Sequence, residues 1–167
     1  MNTSVSKLSF IGPVYTRRLE KLNIFTLGDL LSHVPSRYLD FRKTESIKSL
    51  KIGEIATVKG SVVSIKNAYT GFGRKIQTAV ISDGSGAINV IWFNQPYLIK
   101  TLTPATSVSL AGKLSWFRKN LALVSPEYEI LSPGKKQVHT GSLIPIYHET
   151  RGVSSKWIRS RIANFFP

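Results

Sequence analysis

Cysteine is absent from the 167 residues, methionine occurs once, and carboxylates are scarce, with 9 Asp plus Glu against 23 Lys plus Arg. The missing thiols exclude disulfide scaffolds, Cys-type zinc sites and thiol catalysis in one step. No apolar run reaches the roughly 18 to 20 residues that span a bilayer, and the start Met1-Asn2-Thr3-Ser4-Val5-Ser6-Lys7 lacks the basic-then-apolar order of a secretory leader. A soluble, cytoplasmic protein without a membrane partner is the expectation. Hydrophobic residues make up 42% of the chain, too many for a disordered basic tail. A chain this long buries roughly 70% of its unfolded surface, enough for a core without staples.

What is plentiful is positive charge. The formal net charge is +14, beyond the roughly 2 to 8 units that keep a small domain soluble. It is spread evenly, with +4 on residues 1–50, +5 on 51–131 and +5 on 132–167. An evenly basic folded body attracts polyanions, nucleic acid or an anionic membrane surface being the usual ones. A membrane reading needs an amphipathic helix, and the best candidate, Trp157–Phe166, is short.

Leu19, Leu22, Leu27, Leu30, Leu31 and Val34 recur at helical spacings of three and four. One helix is expected after Gly12-Pro13, ending near Asn23; a second is capped by Thr26 with Asp29 three residues on, and Pro35 stops it. Tyr38 to Lys51 reads as a polar connector.

From Glu54 the apolar period changes to two. Five strands are expected, over 54–67, 74–83, 86–93, 107–117 and 121–130, with a phase slip at Gly60 that suggests a bend or bulge there. In the fourth, Val108, Leu110, Leu114 and Trp116 share the apolar face, which assigns Trp116 to the core and leaves Phe117 free to be exposed. Asn94–Leu102, with an early Pro96, reads as a helix between the third and fourth strands. That order is the order of an OB-fold. The fold class is mainly β: a five-stranded OB-fold Greek-key barrel over 51–131, a short N-terminal helical brace over 1–50, and a linker segment over 132–167. The linker opens at Ser132-Pro133-Gly134-Lys135-Lys136 and ends in a C-terminal helix from about Ser154.

Self-sufficient catalysis has no support. Gly71-Phe72-Gly73-Arg74-Lys75 lacks phosphate-loop spacing, and Gly84-Ser85-Gly86 precedes a strand rather than a helix. His33, His139 and His148 share no metal spacing. Glu127 and Glu129 point to one strand face opposite Lys113, Arg118 and Lys119, which reads as a solvated, salt-bridged surface rather than a two-cation nuclease site. No catalytic residue, metal site or cofactor is assigned to this chain.

What remains is aromatics among cations. Unpaired bases stack on Phe, Tyr or Trp while Lys and Arg follow the phosphates. Phe93 falls on the phase opposite Ile88, Val90 and Trp92, and Tyr97 follows Pro96, so two rings could stand at the rim of the barrel as a wedge. Arg74, Lys75, Lys100, Lys113, Arg118 and Lys119 are the candidates for tracking the backbone. Tyr69, Phe72 and Phe117 are additional candidates for stacking.

Leu19…Leu22-Asn23-Ile24-Phe25-Thr26…Asp29-Leu30-Leu31-Ser32-His33-Val34-Pro35-Ser36-Arg37-Tyr38-Leu39-Asp40, Ile81-Ser82-Asp83-Gly84-Ser85-Gly86, Phe93-Asn94-Gln95-Pro96-Tyr97, Ser125-Pro126-Glu127-Tyr128 and Leu143-Ile144-Pro145-Ile146-Tyr147 occur in this order. Together they resemble the N-terminal wedge part of the RecG family of bacterial ATP-dependent DNA helicases. The resemblance implies an OB-fold that splits stalled replication forks or Holliday junctions in recombination and repair, with the family's two stacking aromatics mapping onto Phe93 and Tyr97. It implies helicase motor domains, binding ATP and magnesium, outside this stretch, and a monomeric, nucleoid-associated protein of the bacterial cytoplasm. One departure is Phe10-Ile11-Gly12 where a phosphate-binding helix-hairpin-helix has Gly-x-Gly, so the N-terminal helices read as a brace. The alternatives are an OB module that binds structured RNA such as tRNA, and a protein-interaction OB domain.

Overall fold

The computed structural model describes residues 2–134 and 137–165. Pro13 supplies a preset backbone at the first position of helix α1 (Pro13–Glu20). Helix α2 (Leu27–Leu31) begins with both halves of a capping box: the Asp29 N–H donates to Thr26 Oγ1 at 3.1 Å and the Thr26 N–H donates to Asp29 Oδ2 at 2.9 Å. The Phe25 N–H, donating to Asp29 Oδ2 at 3.0 Å, and then the Thr26 N–H hold the Asp29 carboxyl below its ordinary value. Strand β1 (Arg37–Asp40) follows, so the expected connector contains structure of its own. Within it Phe41 and Ile47 are buried, and the Thr57 hydroxyl donates to the Phe41 carbonyl at 2.7 Å.

Strand β2 (Ile55–Tyr69) runs the length of a barrel and pairs with β3 (Lys75–Ser82) and with β5 (Ser107–Phe117). The phase change expected at Gly60 occurs two residues later. The register shifts between Val62 and Ser64, so Val62 is buried and Val63 stands 55% exposed. Gly60 serves close approach instead, since a Cβ there would lie 2.6 Å from the Ser82 carbonyl oxygen. Strand β4 (Ala87–Phe93) continues from β3, and the short helix α3 (Leu98–Thr101) follows it, seating Leu98 in the core, with Leu102 just beyond the helix also fully buried.

The strand expected over 121–130 is two strands, β6 (Asn120–Val124) and β7 (Glu127–Ile130). Ser125 has φ +48, and Pro126 has no N–H to give to a ladder. β6 pairs with β5 and, in parallel, with β4; β7 returns to the early part of β5. The order β2-β3-β4-β6-β5-β7, with β2 also paired to β5, closes the sheet into an OB-type barrel. Its interior holds Val58, Ile81, Val90, Trp92, Leu110 and Leu123.

Glu129 departs from the salt-bridged strand face expected of it. The Glu129 carboxylate accepts the N–H groups of Val138 and His139 at 2.8 and 3.0 Å and the Thr140 hydroxyl, pinning the segment after the barrel. Lys135 and Lys136 of the expected linker lie outside the described residues.

The contacts divide the chain differently from the boundaries at 50/51 and 131/132. Residues 40–142 form one unit; residues up to 39 and from 143 onward form the other. The second unit contains α1, α2, most of β1, its partner β8 (Leu143–Ile146) and α4 (Ser155–Ala163), around Leu19, Ile24, Leu30, Tyr147 and Ile158. Helix α4 is not a free amphipathic surface helix. Ile158 and Arg159 are both buried, the guanidinium donating to the Pro145 carbonyl and the Ser155 hydroxyl at 3.1 Å. Among the described residues no helix is long and apolar enough to cross a membrane.

Candidate nucleic-acid interface

Side-chain alternation on β4 sends Val90 and Trp92 into the barrel and Ile91 and Phe93 to the opposite face. Phe93 is half-buried there. Its ring meets Phe117 edge-on with centroids 6.0 Å apart, above Ile76, Ile91 and Ala122. Asn94 then turns the chain with φ +53, a conformation Asn tolerates better than most residues. The Gln95 N–H donates to Gln77 Oε1 at 2.8 Å, and Gln77 Nε2 donates to Asn67 Oδ1 at 2.9 Å. Gln77 is completely buried, so two strands, β2 and β3, and the turn after β4 are tied through one amide.

Tyr97 stands at the end of this braced turn and is 54% exposed. Its hydroxyl donates to Gln95 Oε1 at 2.8 Å, and its carbonyl accepts the Lys100 and Thr101 N–H groups, so the ring is held from both ends. Tyr128 also hydrogen-bonds the Tyr97 hydroxyl. Burial first, and that neighbour second, push the Tyr128 phenol above its ordinary value, so it stays a neutral donor. Tyr128 in turn packs edge-on against Trp92, whose indole N–H donates to the Pro126 carbonyl at 3.1 Å. Tyr97 is thus presented to solvent from a buried polar and aromatic support.

The two loops beside Phe93 carry the other candidates. Between β2 and β3, Tyr69 is 63% exposed and Phe72 almost wholly so, in a turn closed by the Thr70 N–H donating to the Arg74 carbonyl. Between β5 and β6, Arg118 lies over the Phe117 ring at 5.7 Å, and Lys119 completes the two-residue turn. Trp116 is 61% exposed rather than in the core, because β5 has by then run past its pairing with β2, which ends opposite Lys113. Phe117 takes the more covered place, against Phe93. Arg74, Lys75, Lys100, Lys113, Arg118 and Lys119 are all exposed, and none enters an ion pair among the described residues, where Arg42 and Lys43 hold the pairs found. Lys113 stands apart from the aromatic group, opposite Ile55 at the start of β2.

The model of the RecG wedge domain family matches residues 7–166. The chain belongs to the RecG wedge domain family. The ATP-dependent DNA helicase RecG of Escherichia coli (strain K12) is 31% identical over 156 residues, covering 93% of this chain and 22% of the relative. That of Thermotoga maritima is 34% identical over 166 residues, covering 95% of this chain and 20% of the relative. A solved structure of RecG bound to a three-way DNA junction superposes with a TM-score of 0.77 at 30% identity, over 98% of this chain and 22% of that one. This wedge-family chain therefore spans about a fifth of the length of the curated relatives it matches.

Sequence reasoning singled out Phe93 and Tyr97 but missed their supports, Gln77 and Tyr128. A polar residue in the core phase of an apolar strand, as Gln77 is between Ala79 and the strand start, was the available signal.

Proposed function

We propose that this chain is the branched-DNA-binding wedge of an ATP-dependent DNA helicase of recombination and repair, and that Phe93 and Tyr97 separate the strands. The observation that carries the reading is the pair itself: a half-buried Phe93 and an exposed Tyr97 joined by a turn that a buried Gln77 braces, in a chain of the RecG wedge family.

Where a duplex opens, the last base pair loses a stacking neighbour. A ring held at that point replaces the lost contact, worth about 1 to 3 kcal/mol per base. Because the turn is already ordered, little conformational entropy is lost when the DNA arrives. Arg74, Lys75, Lys100, Arg118 and Lys119 supply phosphate contacts, with Lys113 more remote. Six neutralised phosphates give a slope of log affinity against log salt near −5. ATP and magnesium are assigned to the helicase motor domains, which would be this chain's intramolecular partners. In this chain the Gly71–Gly73 and Gly84–Gly86 turns both lead into strands, so neither forms a phosphate cradle at a helix start.

The test is a gel-shift comparison of forked, duplex and single-stranded DNA with the parent chain and a Phe93→Ala, Tyr97→Ala variant. Preference for the fork that disappears in the variant supports the wedge. Equal retention of all three probes by both proteins would leave only a polyanion binder. Competition by tRNA at equal salt separates fork recognition from RNA recognition, since backbone charge is common to both.

A further inference from the structure

Gln95 lies midway in the chain between the two rings assigned to the wedge and is partly exposed. Its backbone N–H donates to Gln77 Oε1 at 2.8 Å, and its own side-chain Oε1 accepts the Tyr97 hydroxyl at 2.8 Å. That hydroxyl has one proton, which this bond uses, so in the bond between the two tyrosines Tyr128 is the donor. The direction of the chain from Tyr128 to Tyr97 to Gln95 therefore sets which end of the amide faces the ring. Oε1 is turned to Tyr97, and Nε2, with two N–H groups, bonds no other group among the described residues. A hydrogen-bond donor is thus held, without a partner, at the hydroxyl end of an exposed aromatic ring.

We infer that the Gln95 amide donates a hydrogen bond to the pairing edge of the base that stacks on Tyr97 as its base pair opens. The inference rests on the wedge reading for the arrival of that base at Tyr97. A base lying on the ring brings its own edge beside the amide at the ring's end. Each base has an acceptor on the edge it loses from its partner: adenine N1, guanine O6, cytosine N3 or thymine O4. A donor finds one in any sequence. In an intact pair the partner base occupies these acceptors, so the bond forms only after opening, and a contact available to one of two states shifts the balance toward that state. The rings replace a lost stacking neighbour, and the amide replaces a lost pairing bond. Phosphate oxygens are the competing acceptors, but cations bind those more strongly than a neutral amide does, and the exposed Lys100 stands three residues from Tyr97. Gln95 is thereby a base-contacting residue, and Tyr128 a positioning residue that acts through the Tyr97 hydroxyl.

The 167-residue chain is titrated with forks that carry, at successive positions next to the branch point, a thymine, its difluorotoluene isostere with fluorine in place of both acceptors, or a thymine on a methylphosphonate linkage. Gln95→Glu is the deciding variant, because its carboxylate still accepts the Tyr97 hydroxyl and has no N–H to give. The parent is expected to bind the thymine fork about threefold or more tighter than the difluorotoluene fork at one position, the size of one net hydrogen bond. Gln95→Glu should bind the two equally. Its added charge repels every DNA alike and cancels in that ratio. Tyr97→Phe keeps the ring and releases the amide, and should shrink the ratio while fork preference persists. Equal parental affinity for the two forks at every position, or the same ratio in parent and Gln95→Glu, overturns the inference. So does a Gln95→Glu loss that the methylphosphonate removes and difluorotoluene does not, since the contact would then be to a phosphate. The Phe93→Ala, Tyr97→Ala variant separates the two readings. Fork preference lost in that variant, with no thymine ratio in the parent, removes the amide contact and leaves the wedge; fork preference kept in it overturns the wedge itself.

Discussion

The completely buried Gln77 accepts the backbone N–H of Gln95 at 2.8 Å, and through that bond a residue in the middle of a strand sets the pose of a ring on the surface. The neighbouring donation from Gln77 to Asn67 makes the amide a three-way tie.

Gln77→Leu keeps the volume and removes both bonds, leaving the Gln95 N–H without its partner. A loss of about 1 to 3 kcal/mol is expected from such an unpaired buried group, read from the urea midpoint at unchanged slope. The same variant should lose fork preference more than single-strand affinity, because Tyr97 is no longer held. Parental fork preference in a destabilised Gln77→Leu protein would show that the tie serves stability alone.

Arg118 occupies a two-residue hairpin turn with φ +56, a place that Gly normally fills. A charged side chain kept in a strained conformation is expected where the charge is used. Arg118→Gly should therefore melt no lower than the parent while binding DNA more weakly, with the salt slope shallower by about 1. Thermal denaturation alongside affinity at three salt concentrations checks both halves.

Asp83 accepts the Ile47 N–H at 2.8 Å and the Ser85 hydroxyl at 2.7 Å, and these bonds, the Ile47 N–H foremost, hold its carboxyl at about 2. A depressed acid stabilises the fold above its unfolded value near 3.8 and loses that contribution as pH falls through its folded value. The stability advantage of the parent over Asp83→Asn should be full above about pH 4 and fade toward pH 2. Denaturant melts at several pH values measure it; a difference independent of pH would contradict the sign.

Gly60→Ala places a methyl 2.6 Å from the Ser82 carbonyl oxygen, a backbone atom that cannot swing away. A loss of about 1 to 3 kcal/mol is expected from such overpacking. Gly71→Ala, in a turn with open space around it, serves as the comparison and should be nearly neutral.

Local rules decided much of this protein from the chain alone. The capping box at Thr26 and Asp29, the alternation that puts Phe93 on the face opposite Trp92, and the run of strands with a helix inserted between β4 and β5 all depend on neighbours a few residues apart. Evenly spread positive charge is likewise a property of the sequence and needs no fold to be read.

Tertiary structure decided what depends on where strands stop and what lies beneath them. Trp116 has the parity of a core residue, yet β5 outruns its partner before reaching it, and so Trp116 is exposed while Phe117 is covered by Phe93. The bulge at Val62, the break at Ser125-Pro126 and the burial of Gln77 beneath the Gln95 turn answer to pairings between residues 10 to 50 positions apart. Alternation tells which side of a strand a residue takes; only the closed sheet tells whether anything is there to cover it.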